Sequence, residues 1–128
     1  MGCKFHHVAL KVKDFDTTVK FYKDVLNLKE KVAWDMDGTP AVMLEMAGGG
    51  IVEIFGNGPD AEEVNTRWVH LAVSVDDVPG TYKKALECGA KNHREPGEAS
   101  IPGDKPMNIE IAFVQCPGGE ILEFFKVK

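Results

Sequence analysis

Three cysteines in 128 residues, none of them in a Cys-x-x-Cys pair, leave no basis for a disulfide scaffold or a zinc knuckle. The odd count fits a reducing cytoplasm, and Cys116, inside Cys116-Pro117-Gly118-Gly119, reads as a small apolar turn residue. No apolar run approaches the roughly 20 residues that a membrane helix needs. Lysine and arginine nowhere cluster, and the net charge is −5, which counts against nucleic acid as a partner. The start, Met1-Gly2-Cys3-Lys4-Phe5, runs straight into strand-like sequence without a secretory apolar region. It resembles an acylation signal only in part, because His6 stands where a Ser or Thr is wanted. With 44% hydrophobic and 27% charged residues, the chain has the balance of a globular protein, and its length suits a single domain.

What the chain does have is a repeat. His7 opens the run His7-Val8-Ala9-Leu10-Lys11-Val12-Lys13-Asp14, and His70 opens His70-Leu71-Ala72-Val73-Ser74-Val75-Asp76-Asp77. Further on, Ala41 to Phe55 aligns without a gap on Ile111 to Phe125, setting Gly48-Gly49 on Gly118-Gly119 and Glu53 on Glu123. Two modules, 1–57 and 68–128, are therefore expected, joined by the Gly-, Asn- and Pro-bearing acidic segment from Gly56 to Thr66.

Each module reads as strand, helix and then further strands, βαβββ, an α+β arrangement. In the first, a strand over 5–12 precedes a helix over 17–25 with Asp16 as its N-cap. Strands at 30–35 and 41–46 flank an Asp37-Gly38 turn, and a Gly48-Gly49-Gly50 turn leads to a strand at 51–55. In the second, a strand over 69–75 is followed by a helix that opens near Asp77, carries Pro79 in its first turn and closes at Gly89. The stretch from Glu95 to Pro106 has no periodicity and reads as a loop, ahead of strands at 109–115 and 120–126.

Residues two apart in a strand share a face. His7 then lies with Ala9 and Lys11, opposite Val8, Leu10 and Val12, and His70 lies with Ala72 and Ser74. With the apolar sets under the helices, both imidazoles turn to the other sheet face. Glu53 and Glu123 stand in apolar surroundings, where an unpaired carboxylate costs several kcal/mol. Two imidazoles and two carboxylates make an N/O donor set suited to one divalent ion (Ni, Co, Mn, Fe or Zn) with positions left for water or substrate. His6 is expected on the opposite face from His7, and His93 before a loop; both read as structural or solvated.

At this point the sequence resembles the vicinal oxygen chelate superfamily, which contains glyoxalase I, methylmalonyl-CoA epimerase, fosfomycin-resistance thiol transferases and extradiol dioxygenases. His7-x-x-Leu10-x-Val12-x-Asp14 followed by Phe21-Tyr22-x-x-Val25-Leu26 is similar to its opening motif, with Asn27 in place of the usual Gly. Val69-His70-Leu71-Ala72 resembles the start of its second module, and Pro117-x-Gly119-x-Ile121-Leu122-Glu123 its closing motif, with Gly118 where Asp is common. The resemblance implies two βαβββ modules forming a cup-shaped mixed sheet, a homodimer, and metal ligands at His7, Glu53, His70 and Glu123. A complete His/Glu/His/Glu set is most similar to the glyoxalase I branch, which implies Ni or Co ahead of Zn or Mn. It also implies a substrate that is a thiol hemithioacetal of a 2-oxoaldehyde, converted through an enediolate to a 2-hydroxy thioester. Glu123 is then the base, and Glu53 the ligand or opposing acid/base. Lys11, Asn57, Arg94 and Lys105 are the residues implied for the acidic thiol portion, although Lys11 lacks the bidentate fork of the usual Arg. Other members of the superfamily set the competing expectations: an epimerase, a dioxygenase, or a non-catalytic module that sequesters a small molecule.

Overall fold

The computed structural model describes residues 2, 5–60, 70–102 and 105–128. The chain divides into two compact units, Met1–Val64 and Asn65–Lys128. Of the segment expected to link them, 61–66 lies outside the described residues, as does Val69.

In the first unit, β1 (His7–Lys11) is followed by α1 (Phe15–Leu26), β2 (Lys29–Met36), β3 (Thr39–Glu45) and β4 (Ile51–Phe55). The sheet order is β1-β4-β3-β2, with β1 parallel to β4 and the other pairs antiparallel. One face carries Val42, Leu44, Val52 and Ile54, all buried, and α1 packs against β3 and β4 there with Phe21, Tyr22 and Val25. Alternation along β1 half-buries Val8 and Leu10 and leaves His7, Ala9 and Lys11 exposed, as the strand period requires.

The second unit repeats the plan with β5 (Leu71–Ser74), α2 (Val78–Glu87), β6 (Lys91–Ile101), β7 (Met107–Gln115) and β8 (Ile121–Val127). Its order is β5-β8-β7-β6, again with the first and last strands parallel. Val73, Ala112, Val114, Leu122 and Phe124 form the buried face, against which α2 sets Val78 and Ala85. Cys116 is buried in the turn before β8, where its carbonyl accepts from the Gly119 N–H at 2.8 Å.

Local chemistry accounts for most boundaries. Asp37 (φ 52°) and Gly38 (φ 92°) make the two-residue turn between β2 and β3, and the Gly38 N–H donates to Asp35 Oδ1 at 2.6 Å. Asn27, at φ 57°, closes α1 in the left-handed region, a conformation that Asn tolerates. The Asp77 carboxylate caps α2 by accepting from the Gly80 N–H at 3.0 Å, with Pro79 in the first turn. After β4, the Gly58 N–H donates to the Val12 carbonyl at 3.0 Å, and a Cβ at Gly58 would meet the Lys11 backbone at 2.2 Å. This contact pins the end of the strand that carries His7.

Two expectations need correction. α1 begins at Phe15 and its N-cap position is Asp14, not Asp16; the Asp14 side chain makes no capping bond, and the Thr18 hydroxyl donates to the Asp14 carbonyl at 2.8 Å instead. The second is the segment read as a loop from Glu95. Its residues through Ile101 belong to β6, an edge strand paired with β7 through register shifts between Asn92 and Arg94 and between Arg94 and Gly97. A proline is tolerated on such an edge because its missing N–H is not needed there.

Candidate metal centre

In the first unit, the parallel pairing of β1 with β4 sets Ala9 beside Glu53. His7, two residues before Ala9, shares their face, and its Nε2 lies 3.7 Å from Glu53 Oε1. The cross-sheet row continues from Glu53 to Met43 on β3 and Val32 on β2. Glu53 is only 8% exposed, while His7 is open to solvent. His6 does not point away as strand alternation predicts. It sits just ahead of β1, outside the strand's alternation, and its Nδ1 lies 2.9 Å from His7 Nδ1 with the rings edge to face.

The second unit forms the matching pair. The pairing of β5 with β8 sets Ala72 beside Glu123, and His70, directly before β5, brings Nε2 to 3.0 Å from Glu123 Oε1. Glu123 is 7% exposed. Its row continues to Phe113 on β7 and Arg94 on β6. The Phe113 ring meets the His70 ring edge to face at 5.2 Å and contacts His93 at 6.2 Å. A shallow recess of about 190 Å³ opens beside Glu123, lined also by Ala72, Ser74 and Phe125.

Both carboxylates are thus nine-tenths buried, and among the described residues the ion-pair partner of each is an imidazole alone, with no Lys or Arg in reach. A carboxylate removed from water without a cation is costly. One nitrogen and one carboxylate side by side, with no sulfur, is the donor chemistry that divalent ions such as Ni, Co, Mn or Zn take. The fit to a metal is therefore good at the level of donor type. Within each unit, no group of three or more His, Cys, Asp or Glu among the described residues is placed to hold an ion, so each offers a His–Glu pair.

The remaining expected residues divide. Lys11 lies on the His7 and Glu53 face, and Arg94 on the Glu123 face through its pairing with Phe113. Asn57, beyond β4, and Lys105, before β7, are exposed, and among the described residues no hydrogen bond or ion pair ties them to either pair. Phe113 and His93 were not legible as neighbours of the donors. For Phe113 the signal existed: the gap-free alignment sets it on Met43, which is next to Glu53 in the other unit.

Comparison with known proteins identifies the family and matches the fold. The model of the Glyoxalase/Bleomycin resistance protein/Dioxygenase superfamily matches residues 4–103. A lactoylglutathione lyase from Haemophilus influenzae is 32% identical, over 95% of this chain and 91% of its own length. The crystal structure of glyoxalase I from Zea mays superposes with a TM-score of 0.74 at 26% identity; 95% of this chain is covered, and the chain spans 44% of the maize protein. A fosfomycin resistance protein from Listeria monocytogenes, solved with Mn(II) and sulfate, shares the fold at a TM-score of 0.71 and 17% identity, over 98% of this chain and 93% of its own.

Proposed function

Since the chain belongs to the Glyoxalase/Bleomycin resistance protein/Dioxygenase superfamily, we propose that it is a metal-dependent lyase of the glyoxalase I type, acting in the cytoplasm on the hemithioacetal of a 2-oxoaldehyde and a thiol. His7, Glu53, His70 and Glu123 would hold one divalent cation, Ni or Co ahead of Zn or Mn. The two pairs serve as one ligand set whether they come from one chain or from the two chains of a homodimer. The observation that carries this reading is the recurrence, at equivalent register, of a buried carboxylate whose ion-pair partner among the described residues is an imidazole alone. When bound, the cation supplies Lewis acidity toward neighbouring substrate oxygens and balances the two carboxylate charges.

The chain's own residues divide the rest of the work. Glu123, which borders the recess shared with Ala72, Ser74 and Phe125, is the base. It takes the carbon-bound proton of the hemithioacetal carbon, and the electron pair of that C–H bond passes toward the adjacent carbonyl oxygen. The proton returns to the neighbouring carbon and the hydroxyl proton moves to the other oxygen, so reactant and 2-hydroxy thioester are isomers and no oxidant is needed. Glu53 stays a ligand or acts as the opposing acid/base. Lys11 and Arg94, on the donor faces, hold the acidic part of the thiol, with Asn57 and Lys105 reaching it from outside those faces.

The test is an assay of Ni(II)-reconstituted protein with methylglyoxal and a panel of thiols. Thioester formation is expected to exceed that of the metal-free protein, and the preferred thiol then defines the substrate. Absence of thioester from every thiol, with Ni(II) bound, removes the lyase reading. Full turnover by Glu123→Gln with its metal retained removes Glu123 as the base.

A further inference from the structure

We infer that His6 is a positioning residue for His7: its ring accepts the Nδ1 proton of His7 and so keeps His7 Nε2 free to bind a metal. The inference rests on the reading of His7 as a ligand. A neutral imidazole carries one proton, and the nitrogen that binds a metal must be the one without it. For His7, Nε2 is the nitrogen that faces Glu53, at 3.7 Å, so once a cation sits between them the proton belongs on Nδ1, where it needs an acceptor. His6 Nδ1 lies 2.9 Å away with the rings 83° apart, hydrogen-bond geometry between two nitrogens of which one donates and one accepts. If His6 donated instead, the His7 proton would point at Glu53 from Nε2 and exclude that nitrogen as a ligand.

The main chain of His6 is anchored although both rings are exposed. The His6 carbonyl accepts from the Ile51 N–H at 3.1 Å, which ties the residue to the start of β4. The second unit has no counterpart among the described residues: His70 is braced by the edge of Phe113 at 5.2 Å. The duplicated ligand thus has a polar support in one unit and an aromatic one in the other, and His6 is a device of the first unit alone.

The test uses the full chain with Ni(II) as the probe, comparing His6→Leu, His6→Asn, His7→Ala and His70→Ala. Affinity is read by competition with a chelator. His6→Leu is expected to weaken Ni(II) binding about tenfold, whereas His6→Asn, whose amide oxygen can accept the same proton, stays within about threefold of the parent. Unchanged affinity in His6→Leu overturns the inference, as does a loss in His6→Asn equal to that in His6→Leu. If His7→Ala and His70→Ala abolish binding while His6→Leu does not, only the positioning role fails. If neither alanine variant changes binding, the ligand reading has failed and takes the positioning role with it.

Discussion

The two units share strand order, parallel closure and a His–Glu pair, yet they hold that pair differently. In the first, His7 is separated from Glu53 by 3.7 Å and leans on a second imidazole. In the second, His70 lies 3.0 Å from Glu123 and leans on an aromatic ring, with an open recess at the carboxylate. Duplication has kept the donor types and their register while the supporting side chains have diverged. Ligand chemistry tolerates no substitution of an imidazole by a hydrocarbon, but an imidazole can be oriented either by a hydrogen bond or by packing. The recess beside Glu123 is what motivates assigning the proposed base to that carboxylate and the proposed ligand role to Glu53.

The sharpest way to break this comparison is to neutralise each carboxylate in turn. Glu123→Gln is expected to lower kcat by about 10²–10⁴, the usual loss when a general base is removed. Glu53→Gln should act mainly through weaker Ni(II) binding, with a smaller loss in kcat at saturating metal. Steady-state kinetics with metal analysis checks this, and equal losses in kcat would erase the distinction.

Next in size are the equivalent core positions Ile54 and Phe124, both fully buried. Ile54→Ala should cost about 2–5 kcal/mol and Phe124→Ala about 3–5 kcal/mol, by lost burial plus the cavity left behind. Urea unfolding measures both. A single transition moved by either substitution means that the units unfold together, and two transitions, each moved by one, mean that they are separately stable.

The helix starts differ more gently. Asp77→Ala removes a capping acceptor and should cost about 1 kcal/mol. Asp14→Ala, at a position whose side chain caps nothing, should stay within about 0.5 kcal/mol of the parent.

The smallest effect is expected at the surface of the second unit, where the Lys128 ammonium hydrogen-bonds the Glu98 carboxylate. That contact holds Glu98 below its ordinary value and raises Lys128 above its own. A lowered carboxylate contributes stability above its ordinary titration range and loses it as pH falls through the lowered value. A raised ammonium contributes below its ordinary range and loses its share as pH rises through the raised value. Glu98→Gln should therefore melt slightly below the parent at neutral pH and converge with it in acid, and salt should shrink the gap because the pair is exposed. A gap that survives acid would assign the effect to packing.

Much of this was legible before any coordinates. The matched runs at His7 and His70 and the gap-free alignment of 41–55 on 111–125 located the repeat, the paired strands and the recurring His and Glu positions, because strand period and turn chemistry are local. The edge strand β6 was not legible. Pro96 and Gly97 punctuate it, and its shifts at the bulges destroy the alternation by which a strand is recognised. The start of α1 was misread because Asp16 has the chemistry of a cap while Asp14 occupies its position. The meeting of His6 with His7 escaped for a related reason: alternation governs residues inside a strand, and His6 stands one place before it.

The first and last strands of each unit lie side by side, and this sets an order of events during folding. Each imidazole emerges early in its repeat and each carboxylate near its end, so neither pair exists until the intervening helix and hairpin have been laid down and the loop between them closed. A half-made repeat presents an imidazole with no carboxylate beside it. The proposed ligand set is thereby incomplete in any chain that stops short of its last strand.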